Sequence, residues 1–274
     1  PVKPVIVVVY ILLVILAVVY LAPLLWMLSV SLKDNAGVMS APFSLPDVFH
    51  FENYQQAWQM GKLGTALVNS VLVCGVTLIV SLFFGAMAAF AIARMRWKLS
   101  EFMHTFFLIG MMVPVHCVLI PLFVRFAKLG LTNSQGGLMI PYITFSLPMT
   151  IFLLTGFFRS MPGEMFEAAA IDGCNSFQTL YKVIVPMLMP ALVSCALFQF
   201  MWSCNDFMGP LLYVQTPAKY PMSLFVKLSM DGDTGFAWNR ILALSLISIL
   251  PQLIVFFCAQ DQFVEGISAG AVKG

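Results

Sequence analysis

Long runs without a charged residue alternate with short polar stretches along the 274 residues. About 20 apolar residues, rising roughly 1.5 Å each, cross a hydrocarbon core roughly 30 Å thick. On that measure the runs 4–32, 63–93, 102–124, 129–158, 183–205 and 241–260 predict six membrane-spanning helices, the fourth helical from about Gln135. Six spans leave both termini on one side of the membrane. The first run is too long for a signal-peptide core and lacks a convincing cleavage site, so it reads as a retained span. The organisation expected is a first span with an external loop over 1–62, a five-helix core over 63–260, and a polar tail over 261–274.

The break between the fourth and fifth runs, 159–182, does not fit a plain bundle. Pro162-Gly163 opens a segment with Glu164 and Glu167 in its first turns, where acidic side chains favour the positive end of a helix. Ala168, Ala169 and Ala170 are strong helix formers, and Gly173 can take the left-handed conformation that ends one. A helix of about two and a half turns is far too short to span, so it lies outside the bilayer. Asn175 or Ser176 can cap a second helix through Phe177, Leu180, Tyr181 and Val183, which runs into the next span at Pro186. Two helices joined by a capped corner make a rigid knob.

Prolines 114, 121, 141, 148, 186, 190 and 251 fall in or at the mouths of spans three to six. Each removes a backbone hydrogen bond and permits a kink, as it does in membrane helices generally. Strongly polar residues within spans are few: Asn69, His104, His116, Gln199, Asn205 and Gln252. No Asp, Glu, Lys or Arg lies well inside a span, which argues against a proton- or sodium-coupled carrier. At the end of span five, Phe198, Trp202, Asn205, Asp206 and Phe207 form an aromatic rim with amide and carboxylate groups. Flat faces that stack on C–H surfaces and polar groups that bond hydroxyls are the chemistry of sugar binding. Tyr142 in span four is placed on the same pathway; a purely structural rim is the alternative.

Composition agrees with the pattern. Hydrophobic residues make up 61%, charged residues 9%, and mean hydropathy is +0.94, against about 25% charge in a soluble domain. A net charge of +2 provides no basic patch for nucleic acid. The cysteines at 74, 117, 174, 195, 204 and 258 are scattered without CxxC pairs, so neither a zinc site nor a disulfide framework is expected. Asp231-Gly232-Asp233 lacks the ligand spacing of an EF-hand. Gly61-Lys62 lacks the rest of a phosphate-binding P-loop, so the chain cannot cradle ATP phosphates by that route. No catalytic residue and no metal site is expected. Positive residues divide evenly between the two faces; the tight cluster Arg94, Arg96 and Lys98 favours its own face as cytoplasmic.

Glu167, Ala168, Ala169, Gly173 and Pro186, with Val183 and Val185 before the proline, stand at the spacing of the cytoplasmic Glu-Ala-Ala loop in permeases of ATP-binding-cassette importers. Asp172-Gly173 and the Pro186 to Pro190 extension resemble the carbohydrate (maltose-type) branch. So do Phe51-Glu52-Asn53-Tyr54 and the stretch Trp202 to Leu211, although two extra residues separate Trp202 from Asn205. The tail Gln262-Phe263-Val264-Glu265-Gly266, with Lys273, resembles an extension toward the ATPase dimer.

The resemblance implies an all-α membrane protein, a type I importer permease with six transmembrane helices and a cytoplasmic coupling helix. Its partners would be a homologous second permease, two ATPase subunits that bind ATP and Mg, and an external or periplasmic solute-binding protein docking on 213–240. The chain itself would hold no cofactor, catalyse nothing, and sit in the bacterial inner membrane with both termini cytoplasmic. Glu164, Glu167, Ala168, Ala169, Asp172 and Gly173 would couple to the ATPase, with Ala168 and Ala169 fitting its groove, and Glu265, Gly266 and Lys273 would reach it from the tail. The cargo would be a carbohydrate, an oligosaccharide either neutral or acidic such as an alginate or uronate fragment. A polyol or glycerol phosphate permease and a self-contained secondary transporter are the alternatives.

Overall fold

The computed structural model describes residues 4–59, 62–95, 97–230 and 237–271, with side chains through Gly266. Gly61, Arg96, Asp231, Gly232, Asp233 and Lys273, invoked above, lie outside the described residues. The chain divides into two compact units, Pro1–Gly64 with Phe225–Leu250, and Thr65–Leu224 with Pro251–Gly274. Among the described residues every regular element is helical.

In the first unit, α1 (Pro4–Ser31) is about 42 Å long at 1.5 Å per residue. Its apolar side chains are exposed over nearly the whole length, and only Val30 and Ser31 at its end are buried. Two short helices follow, α2 (Asn35–Ser40) and α3 (Glu52–Gln59), within the stretch that the sequence predicted as an external loop. The Phe51–Tyr54 motif has a local physical reason: it satisfies the orphan carbonyls at the end of α1. Asn53 Nδ2 donates to the Ser31 and Lys33 carbonyls at 2.8 Å each, and the Tyr54 hydroxyl meets Ser31 Oγ at 2.7 Å. Asn239, at the start of α13 (Trp238–Ala271), donates to Asn53 Oδ1 at 3.0 Å.

The second unit contains most of α4 (Leu63–Arg94), then α5 (Ser100–Met111), α6 (Val115–Lys128) and α7 (Gln135–Ser160). The third span is not one helix as expected, because α5 and α6 meet at a 94° bend. Pro114 lacks the N–H that would bond the Gly110 carbonyl and its ring would strike that carbonyl, so it starts α6 as an extended N-cap residue. The fifth span is also broken. It starts earlier than 183, as α9 (Ser176–Met187), and bends by 80° into α10 (Met189–Asn205). Pro186 and Pro190, one turn apart, each lack the N–H for a helical bond here, and Thr179–Ile184 relaxes into π-helix. By contrast α7 carries Pro141 and Pro148 without a break and begins at Gln135 behind a Ser134 cap, as the pattern predicted.

Between α7 and α9 stands α8 (Glu164–Ile171); α11 (Met208–Tyr213) and α12 (Met222–Met230) follow α10. The core of this unit joins Ala86, Ala89 and Phe90 of α4 to Leu154 and Phe158 of α7, Leu180 and Ile184 of α9, and Ala191 and Cys195 of α10. Cys74 and Cys204 bring their sulfurs to 3.3 Å where α4 packs on α10. The sixth apolar helix does not stop near 260: α13 continues to Ala271, so the expected tail is helical through that residue.

Candidate functional site

The corner around α8 is built largely as its residue types dictate. The eight residues of α8 span about 12 Å. Gly173 has φ +79° and ends the helix in a Schellman arrangement: its N–H donates to the Ala170 carbonyl at 3.1 Å, and the Cys174 N–H to the Ala169 carbonyl at 2.9 Å. Of the two capping candidates for the next helix, Asn175 serves, accepting from the Gln178 N–H at 2.8 Å while Gln178 Oε1 accepts from the Asn175 N–H at 3.0 Å.

Glu164, Glu167, Ala168, Asp172 and Gly173 are exposed on this corner. Ala169 is not. It is buried at 3% exposure in the chain's own interior, so it is unavailable to a partner's groove, correcting the expectation that both alanines face outward. Sequence reasoning missed Ile171, an apolar tip residue with 86% of its surface exposed beside the acidic side chains. A surface groove of about 800 Å³ beside α8 is lined by Arg94, Trp97, Phe166, Glu167 and Cys174 among others.

Around the end of α10 the five expected pathway residues do different things. The Tyr142 hydroxyl donates to Asp206 Oδ2 at 2.7 Å, and its ring meets Trp202 edge-on at 5.3 Å. Asp206 also accepts from the Gly209 and Met208 N–H groups at 3.2 Å each, so its carboxylate holds the turn into α11. Asn205 is exposed, donating to the Met201 carbonyl at 2.8 Å and accepting from Gln252 Nε2 at 3.3 Å. Phe207 is half-buried in the same turn. Only Trp202 of these lines a cavity of about 320 Å³ between α7 and α10, whose wall also carries Phe145, Ser146, Thr150, Phe198 and Gln199. Phe145, Ser146 and Thr150 had no sequence signal beyond lying in an apolar run.

The C-terminal residues correct another expectation. Gly266 is buried against α10, where an added Cβ would collide with Ser194 Oγ and the Pro190 carbonyl oxygen. The glycine is there for close helix approach and is not available to a partner. Phe263 packs edge-on against Phe198 at 5.5 Å, while Glu265 is exposed.

Residues 81–266, from the middle of α4 to the close contact at Gly266, match the family described as binding-protein-dependent transport system inner membrane component. The chain belongs to this family. It is therefore a permease of an ATP-binding-cassette importer, a translocation subunit rather than an enzyme. Four described helices of the permease are long and apolar enough to cross a membrane, six when each bent pair counts as one span, which makes it a multi-pass membrane protein.

Similar proteins include the diacetylchitobiose uptake system permease protein NgcG of Streptomyces coelicolor, 32% identical over 96% of this chain and 87% of that one. The trehalose transport system permease protein SugB of Mycobacterium tuberculosis is 32% identical over 93% of each chain. Among solved structures, a chain of a bacterial ABC transporter involved in the import of the acidic polysaccharide alginate superposes with a TM-score of 0.82. It is 25% identical over 94% of this chain and 95% of that one. That likeness supports the type I importer permease fold.

Proposed function

We propose that this permease is one of two homologous membrane subunits of an ATP-driven, binding-protein-dependent importer of oligosaccharides, seated in the bacterial inner membrane. The observation that carries the reading is α8: a helix too short to span, set between apolar elements, exposing Glu164, Glu167, Ala168, Ile171 and Asp172. Such a knob fits a groove on a soluble motor, and the resemblance of Glu167 to Gly173 to the coupling loop names that motor as an ATPase dimer holding ATP and Mg. The α8 face and both termini are then cytosolic. The opposite face receives saccharide from the binding protein, and the exposed α1 packs against the partner permease. The names of the relatives, concerned with diacetylchitobiose, trehalose and alginate, support a saccharide cargo.

When ATP closes the ATPase dimer, α8 moves with the cleft that holds it and the broken spans reorient the cavity beside Trp202. ATP and the loaded binding protein must favour the same state, since each ligand shifts the equilibrium only by its differential affinity. The test is the complex with its partner permease, ATPase subunits and binding protein in proteoliposomes, assayed with maltose, trehalose, diacetylchitobiose and alginate oligosaccharides. ATP-dependent uptake of at least one is expected, abolished by Glu167→Lys while the subunits still co-purify. Uptake driven by an ion gradient without the ATPase subunits would overturn the reading.

A further inference from the structure

One basic side chain ties α8 to the membrane helices. Arg94 is the last residue of the long apolar helix α4, and its Nη2 donates to two carbonyls at once, Phe158 and Met161. Phe158 lies in the last turn of α7, where helix carbonyls lack intrahelical donors, and Met161 begins the linker into α8. The guanidinium carbon of the same side chain lies over the ring of Phe166, the third residue of α8, at 4.3 Å from its centroid. One turn earlier on α4, Phe90 stacks on Phe166 at 6.2 Å and packs on Phe158 at 5.7 Å. Two successive turns of α4 thus hold α8, one through an apolar ring and one through a cation.

The geometry suits arginine and no other residue. A guanidinium is planar, with donors along its edge for carbonyls and a face for stacking; an ammonium has the charge and the donors without the face. A cation also complements the negative C-terminal ends of α4 and α7 that converge here. Its Nε has no hydrogen-bond partner among the described residues, a cost that hydrogen bonding alone would not select.

Within α8 Ala169 is buried and Met165 and Phe166 are half-buried. Besides the Phe166 ring, α8 also packs on the π-helical turn Thr179–Ile184 of α9. A force applied at Glu167 and Ile171 can pass into α9 through that packing, whereas its route into α4 and the end of α7 runs through Phe166 and Arg94. Helix α7 carries Tyr142 and one wall of the cavity lined by Trp202. We infer that Arg94 is a positioning residue for coupling: it makes α8, α4 and α7 move as one piece, so that ATP turnover displaces the wall of the pathway. This rests on the proposed ATP-driven import of saccharides.

The experiment uses the reconstituted complex and whichever of maltose, trehalose, diacetylchitobiose or alginate tetrasaccharide stimulates it most, reading saccharide moved per ATP hydrolysed. Arg94→Ala should lower that ratio at least tenfold while ATP hydrolysis continues. Arg94→Lys should recover part of it, to within about threefold of the parent. Phe166→Leu, which leaves both carbonyl bonds in place, should lower it about threefold, and combining it with Arg94→Ala should add nothing further. An assembled Arg94→Ala complex with a ratio within twofold of the parent would overturn the inference. So would lysine failing as fully as alanine with equal loss of thermal stability, which marks a merely structural role. If Arg94→Ala does not assemble, Arg94→Lys and Phe166→Leu decide, and full coupling in both overturns it. A parent complex that moves none of the saccharides with ATP defeats the proposed function itself, which is a separate result.

Discussion

The corner at Gly173 can be perturbed with almost no steric side effect, which makes it a sharp test of the knob. Its φ of +79° is left-handed, yet a Cβ built there meets nothing within 4 Å. Gly173→Ala therefore adds only the conformational penalty of an L-residue in that region, about 1–2 kcal/mol. Asparagine tolerates the same region better and should cost less. The bonds at risk are those that end α8, from the Gly173 and Cys174 N–H groups to the Ala170 and Ala169 carbonyls. A loss of about 1–2 kcal/mol multiplies the open population of this corner roughly 5- to 30-fold. Hydrogen exchange over peptide 164–175 in the purified complex reads that population directly. Expected is exchange faster by that factor in Gly173→Ala, a smaller change in Gly173→Asn, and saccharide uptake falling in the same order. Gly173→Pro, with φ held near −65° and no N–H for Ala170, should abolish the corner and uptake together. Unchanged exchange in the alanine variant, or asparagine faring worse than alanine, would refute the assignment of a left-handed glycine corner.

Two further substitutions separate packing from transport. Gly266→Val should drive a side chain into Ser194 Oγ and the Pro190 carbonyl, with overpacking of about 1–3 kcal/mol. It should lower the melting temperature of the detergent-solubilised permease, with Gly266→Ala intermediate and neither altering saccharide selectivity. Tyr142→Phe deletes the donor at 2.7 Å from Asp206 Oδ2, a hydrogen bond to a charged group of about 1.5–3 kcal/mol. If that carboxylate holds the turn into α11, the variant loses thermal stability with KM for saccharide within twofold of the parent; a tenfold rise in KM at unchanged stability would instead make it a cargo ligand.

What the chain reveals about itself before folding follows from where the physics is local. The run length that crosses a bilayer, the alanine stretch ending at Gly173 and the cap at Asn175 are decided within a few residues, and α7, α8 and α9 form as those signals require. The prolines are local too, but their consequence is not. Pro114 turns its span through 94° whereas Pro141 and Pro148 leave α7 continuous, because neighbouring helices decide whether a freed carbonyl is satisfied or the chain turns away. Roles that depend on side chains far apart in sequence were the least legible. The bond between Tyr142 and Asp206 joins residues 64 apart in sequence, so the run that suggested Asp206 as a sugar ligand carried no sign of it. Gly266 read as a contact for another subunit because the Pro190 carbonyl that crowds it belongs to a different helix. Arg94 read as one charge in a topology count, and its position closing a long apolar helix was the available signal. A cation there ends at the membrane surface with a C-terminal dipole beside it, so it is already partly held. The approach of α7 and α8 then makes that held charge the point through which a short soluble helix can move two membrane helices.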